Sequence, residues 1–459
     1  MVSKVDVSRP SNKLPSMSAD PASSSPEMRP SLLHGSRVRT DMADYVAFLL
    51  AASLPWSTSL VSILVVVWLI TTAPTIDFGT FIRSLGRPVC ALPIALFVLA
   101  VVGTLWSDAP WGTRLYYIGP NAKLLVLPLL IYHFERSRHG RRVFIAFLAS
   151  CTALLMVSWL SYLNPPFVYN VARQIGFPFK VYIIGVPVKN YISQSQEFVL
   201  CAFGLAIAAQ NLWAAHHRKT AIAAIALGFA FLTDLLVVIS ARTAFVSIPL
   251  LLAILLIRHV SRRKCVALVV TAGVAIAVLW TVSPYLRARM ENAVTEYSKY
   301  TNDNQTTSSG ERLEYWRKSV KFFLMSPFIG HGTGSIRGLF ERDAVGRTGV
   351  SAEVVENPHN QTFYFAIQWG VVGVGLLYAM WIVHFSIFRH DQWIAWLGTI
   401  LVVQNIVGSI FNSHISDFVE GWIYVIGVGV AGGMSIKFDA DAKESREVSA
   451  PLSEMRASP

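Results

Sequence analysis

The stretch Glu356-Asn-Pro-His-Asn-Gln361 runs directly into Thr362-Phe-Tyr-Phe-Ala-Ile-Gln-Trp-Gly-Val-Val-Gly-Val-Gly-Leu-Leu-Tyr-Ala-Met-Trp-Ile-Val-His384. The second part is almost wholly apolar, and about 20 such residues suffice for a helix to cross the hydrocarbon core of a bilayer. Runs of the same kind recur along most of the chain, which is 53% hydrophobic and only 14% charged. A soluble domain carries about 25% charge, so this composition excludes an ordinary soluble protein. We read about twelve spans, near 43–54, 57–73, 89–106, 119–134, 143–162, 192–213, 220–239, 243–257, 265–282, 361–388, 394–411 and 418–436. The first two form a short helical hairpin broken at Pro55. The expected fold is therefore an all-α polytopic integral membrane protein.

Charge then orients these spans. The net charge of +12 is concentrated in alternate short loops: Arg83 and Arg87; Arg136, Arg138, Arg141 and Arg142; Arg218 and Lys219; Arg258, Arg262, Arg263 and Lys264. Short basic loops mark the cytoplasmic side, so the excess is a topology signal rather than a nucleic-acid footprint, and both termini are expected there. Residues 1–41, rich in Ser, Pro and Arg, read as a disordered cytoplasmic tail, and 437–459 as a polar cytoplasmic tail. Between them lie spans 1–9 in 42–282, a large external loop in 283–360 and spans 10–12 in 361–436. The other external loops are 107–118, 163–191 and the tight turn Ser240-Ala-Arg242. Cys90, Cys151, Cys201 and Cys265 fall in or beside apolar runs and show neither a disulfide framework nor a zinc spacing.

A connection as long as 283–360 exceeds what two helices need. Within it, Ser308-Ser-Gly-Glu311 matches a capping box, and Leu313, Trp316, Val320, Phe323 and Leu324 follow at helical spacing. That amphipathic helix should stop at Ser326-Pro327. Gly330-His-Gly-Thr-Gly334 has no preceding strand and no Walker lysine, so it reads as a turn with a structural His331, not a nucleotide loop.

At the end of the loop, Asn357 is placed to cap the following helix, with Pro358 at its first position and His359 in its first turn. A helix N-terminus disfavours positive charge, and a neutral imidazole can take a proton from a hydroxyl. The alternative is an interfacial histidine that only hydrogen-bonds its neighbours. Arg242, at a turn after an apolar run, either snorkels or meets an anionic partner. Arg312 and Arg317 lie on the amphipathic helix, where a guanidinium can grip phosphate or merely face water. Loop 163–191 carries Arg173, Lys180 and Lys189 without an acidic residue, which suits a diphosphate or lipid headgroups. External acidic residues are scattered, without the spacing of a metal site, so neither metal nor cofactor is expected. Asp234, mid-span, either pairs internally or marks a polar path.

The order Ile239-Ser-Ala-Arg-Thr-Ala-Phe245, Gly310-Glu-Arg-Leu-Glu-Tyr-Trp316, Pro327-Phe-Ile-Gly-His-Gly-Thr-Gly334, Asn357-Pro-His-Asn-Gln361 resembles the bacterial O-antigen ligase and polymerase superfamily, and most closely the ligases. The resemblance covers roughly residues 42–436, and its specific part lies between 190 and 370. It implies a C-type glycosyltransferase-like architecture with about twelve transmembrane helices and a large periplasmic loop between spans 9 and 10. It implies an inner-membrane enzyme whose active site faces the periplasm. The donor would be an O-antigen glycan on undecaprenyl diphosphate and the acceptor a lipid A-core sugar hydroxyl, with membrane lipids around both. The family's catalytic positions fall on His359, Arg242 and Arg312. Arg173, Lys180, Lys189, Arg317 and Asn360 are the expected diphosphate or glycan contacts, and the reaction is expected to be a metal-independent, inverting transfer. An O-antigen polymerase and a protein O-oligosaccharyltransferase share these motifs. A transporter of a lipid-linked anion would also place arginines at a cavity, though it needs no structured loop ending in a histidine.

Overall fold

The computed structural model describes residues 30–176, 184–239, 242–259, 307–389 and 392–456. Its helices are α1 (Pro30–Ser53), α2 (Thr58–Thr72), α3 (Phe78–Leu85), α4 (Pro88–Val102), α5 (Trp111–Phe134), α6 (Gly140–Leu163), α7 (Pro165–Ile175) and α8 (Tyr191–Ala214). They continue as α9 (Arg218–Val237), α10 (Arg242–His259), α11 (Ser308–Met325), α12 (Ile336–Ala344), α13 (Gln361–Ser386), α14 (Trp393–Phe411) and α15 (Phe418–Arg456). No strand occurs among the described residues. Eight helices there are long and apolar enough to cross a membrane, and the bent pair α3–α4, turned by 78°, adds a broken ninth. The protein is thus a multi-pass membrane protein. The expected span at 265–282 lies outside the described residues.

Several boundaries move for local reasons. The helix before Pro55 begins at Pro30, inside the stretch expected to be a tail, and α2 restarts where Ser57 accepts a hydrogen bond from the Leu60 amide. α5 takes up much of the expected 107–118 loop, because Trp111 onward is already helical. α15 runs on past residue 437 to Arg456. Helix α11 is capped by Thr307, whose side chain accepts from Gly310 N, so the cap sits one residue earlier than the Ser308 box implies. It stops at Met325, before Ser326-Pro327.

Two sets of contacts sort the ends of the bundle. At one end Arg87 Nη2 donates to Glu135 Oε2 at 3.1 Å, His384 Nε2 lies 3.0 Å from Val89 O, and Arg258 Nη2 donates to Phe388 O at 2.9 Å. At the other end Thr333 N donates to Gly103 O at 2.9 Å, and Asn360 Nδ2 donates to Ile410 O at 3.0 Å. The basic loops around Arg87, Arg136 and Arg258 therefore gather at the end opposite His359.

The segment that holds α11 and α12 is latched onto the bundle by the glycine-rich turn. Helix α13 breaks at Gly370 (φ 60°, ψ −151°), and the chain after α11 enters the break. His331 N donates to Ile367 O, Gly332 N to Gln368 O and Val371 N to Pro327 O, each at 2.8 Å. Trp369 Nε1 donates to Thr333 Oγ1, which itself donates to Ala100 O. His331 bonds the Phe322 carbonyl and has the structural role expected of it. A Cβ on Gly370 would stand 2.3 Å from Phe328 O, in a backbone region open essentially to glycine alone. Gly370→Ala should therefore cost about 3 kcal/mol or more, read as a lower melting temperature and a loss of monodisperse protein in detergent.

A buried ion cluster holds the segment's own fold. Asp343 meets Lys321 at 2.6 Å, Arg347 at 3.1 Å and the fully buried Lys318 at 3.5 Å. Burial alone would raise the Asp343 carboxyl, but the Lys321 hydrogen bond and the three cations outweigh it and hold it below the usual range. A depressed carboxyl contributes stability that is present above its unfolded value, about pH 4, and lost as pH falls through the folded one. Asp343→Asn should lower stability by about 3–5 kcal/mol at neutral pH and flatten the acid limb of a melting-temperature profile.

Candidate functional site

The residues around His359 are placed by the start of α13. Asn360, not Asn357, is the N-cap: its Oδ1 accepts from Phe363 N at 3.1 Å. His359 consequently precedes the helix, with a left-handed backbone (φ 54°), instead of lying in the first turn. Asn357 takes another role, accepting from His359 N at 2.9 Å and from Ser413 Oγ at 2.7 Å. The helix-end argument therefore no longer applies to the ring, which is held by a direct contact instead. His359 Nδ1 lies 2.9 Å from Asn412 Oδ1. An amide oxygen only accepts, so Nδ1 carries a hydrogen, and in the neutral ring the lone pair is on Nε2.

Asn412 belongs to the short loop between α14 and α15, which is anchored throughout. Gln361 Oε1 accepts from Ile415 N at 2.9 Å and from Ser416 N at 3.2 Å, while its Nε2 donates to Ser416 Oγ at 3.1 Å. Lys123 of α5 donates to the carbonyls of Ser416 and Asp417. Asn412→Leu should lower turnover about tenfold, the worth of one hydrogen bond that orients the ring, and Asn412→Asp should restore most of it. Equal turnover in the two variants would remove Asn412 from the site.

Helix α11 forms the opposite wall. The Tyr315 ring lies 6.3 Å from the His359 ring, centre to centre, and its hydroxyl donates to the Glu353 carboxylate. Burial and then that bond push the Tyr315 hydroxyl up. Glu311 faces the same space: burial and the nearby Glu353 raise its carboxyl, against the influence of His359 and Arg312. Tyr117 of α5 donates to Glu356 Oε2 at 2.8 Å, and Arg337 holds Glu356 Oε1 at 2.7 Å.

The expected site residues separate under this geometry. Arg312 stands half-exposed one residue after Glu311, with no ion pair among the described residues. Arg242 opens α10 at the same end of the bundle as His359, since α10 finishes at Arg258 near Phe388. Arg173 is exposed at the end of α7 on that end too. Lys180 lies outside the described residues. Three of the expected contacts also have protein partners. Arg317 grips Glu314 with two bonds, 2.8 and 2.5 Å. Lys189 turns inward to Glu197 at 3.8 Å, and burial pulls its ammonium down. Asn360 is consumed at both ends, by Phe363 N and by the Ile410 carbonyl. Asp234 pairs internally, accepting from Ser158 Oγ at 2.9 Å.

Asn412, Glu311, Tyr315 and Glu353 were not picked out from the sequence. The available signal was the polar run Asn412-Ser-His-Ile-Ser-Asp417 between two spans, which is too short to stand out beside the large loop.

The described residues thus form a polytopic helical bundle with α11, α12, His359 and the start of α10 at one end. Residues 227–378, from α9 through Arg242, Arg312 and His359 into α13, match the family described as O-Antigen ligase, and this segment belongs to the O-antigen ligase/polymerase superfamily. No curated protein matches the chain.

Proposed function

We propose that the protein is an O-antigen ligase of the inner membrane. It moves an O-antigen glycan from undecaprenyl diphosphate to a sugar hydroxyl of lipid A-core. The single observation that best supports this is the His359–Asn412 contact, which engages Nδ1 and leaves Nε2 for a substrate hydroxyl. His359 Nε2 takes the proton of the acceptor hydroxyl as its oxygen attacks the anomeric carbon. The bond from that carbon to the diphosphate oxygen breaks, and undecaprenyl diphosphate leaves with the electron pair. Arg312 and Arg242, with Arg173 and Lys180 at the margin, balance the charge that develops on the diphosphate, so the step needs no metal. One displacement inverts the anomeric configuration. The basic loops at the opposite end support a periplasmic position for the site and cytoplasmic termini.

The ligase differs from its superfamily alternatives only in the acceptor. Purified protein in nanodiscs, given donor and lipid A-core, should yield glycosylated lipid A-core. Elongation of donor-linked glycan instead would mark a polymerase, and transfer to a protein an oligosaccharyltransferase. Movement of donor across the bilayer without covalent transfer would mark a transporter.

A further inference from the structure

At the end of the bundle opposite His359, the mechanism above leaves a group of histidines and carboxylates unused. Asp44 of α1 is buried, and its carboxylate faces the turn between α5 and α6. His133 Nε2 lies 2.8 Å from Oδ1, His139 Nδ1 lies 2.9 Å from Oδ2, and Ser137 Oγ donates to both oxygens at 2.8 and 2.9 Å. One helical turn before Asp44, Asp41 Oδ1 stands 3.7 Å from the same His139 Nδ1. Ligand atoms of Asp41, Asp44 and His139 lie within 4.8 Å of one another.

We propose that Asp41, Asp44 and His139 form a binding site for a divalent transition metal of the zinc type, which ties α1 to the α5–α6 turn. This inference is independent of the proposed function. Zinc takes nitrogen and carboxylate oxygen at about 2.0–2.2 Å, so two ligands of a tetrahedral ion stand about 3.4 Å apart. The distances of 2.9 and 3.7 Å from His139 Nδ1 to the two carboxylates bracket that spacing. Two carboxylates and one neutral imidazole balance a divalent charge, and a mixed nitrogen and oxygen set disfavours magnesium and calcium.

The surroundings fit a metal better than a plain clamp. A clamp between α1 and the turn is already complete with His133, Ser137 and His139 on Asp44; it has no use for Asp41. His133, whose side chain is 2% exposed, and Ser137 hold the inner oxygen of Asp44 as outer partners do for a ligating carboxylate. The His139 and Asp41 side chains are 33% and 53% exposed, which provides an entry path and room for a water as fourth ligand. Binding displaces the proton on His139 Nδ1, which leaves to solvent, and the metal takes its place between Nδ1 and Asp44 Oδ2. Cations also surround this turn: Arg136 and Arg138 lie in it, Arg87 donates to Glu135 at 3.1 Å, and Lys437 donates to the Ser137 carbonyl at 3.4 Å.

The test uses the full chain in detergent, stripped with a chelator and titrated with Co²⁺ as a spectroscopic probe. The expected result is one saturable equivalent with the intense visible bands of four-coordinate cobalt. Asp41→Asn and His139→Gln should each weaken binding at least about tenfold. Asp41→Asn keeps the Asp44 hydrogen bonds, so its metal-free melting temperature should equal the parent's, and Zn²⁺ should raise the melting temperature of the parent only. Cobalt binding as tight in Asp41→Asn as in the parent, or no saturable binding by the parent, would overturn the proposal.

Discussion

Replacing His359 should abolish glycan transfer while leaving donor binding in place. Among the described residues the histidine makes no ion pair; it bonds Asn412 through its ring and Asn357 through its backbone amide. Loss of a positioned base lowers a rate by about 10²–10⁴-fold; of the neighbours, Tyr315 is committed to Glu353, and Glu311 faces the same space. His359→Ala is the direct variant. His359→Asn is the cleaner one, because asparagine tolerates the left-handed backbone at φ 54° and so separates lost chemistry from lost folding. Turnover and donor affinity measured on both variants check this. The expected pattern is turnover lowered by about a thousandfold with donor affinity within about twofold of the parent. Undiminished turnover in either variant would show that His359 is not the base.

Arg312→Ala should be the second largest loss, about 10²–10³-fold in turnover, the usual consequence of removing one donor aimed at developing charge. Its guanidinium is half-exposed beside the Glu311 carboxyl, on the helix that faces His359. Arg312→Lys keeps the charge but not the planar fork, and should recover only part of the rate. Arg317→Ala, five residues along the same helix, supplies the control. Arg317 is bound to the buried carboxylate of Glu314, so its loss should act on stability and change the turnover of folded protein less than about twofold. Steady-state transfer assays on the three variants check the ranking, and equal losses at positions 312 and 317 would dissolve it.

The difference between those two arginines explains how much of the site was legible in the sequence. Apolar runs, basic loops and the proline-bounded amphipathic helix are local patterns, and they announced the membrane bundle, the common end of Arg242 and His359, and the stop before Pro327. What partners claim each side chain is not local. α8 brings Glu197 within 3.8 Å of Lys189, and Ile410 gives Asn360 its second bond, contacts that no local pattern announces. The cap shifted from Asn357 to Asn360 because Ser413, more than fifty residues later, draws Asn357 away. Asn412 was invisible for the same reason: its importance comes from where α14 ends, not from any motif around it. The break at Gly370 was likewise hidden in an unbroken apolar run, because its cause is the glycine-rich turn that docks there.

The most direct measurement is a cryo-EM structure of the full chain in nanodiscs with undecaprenyl-diphosphate-linked glycan bound. The account predicts diphosphate density between Arg242 and Arg312, with the anomeric carbon facing Nε2 of His359 and Asn412 still on Nδ1. Diphosphate density at the basic end of the bundle, or at the His359 end but turned so that His359 cannot reach the acceptor side of the sugar, would contradict it.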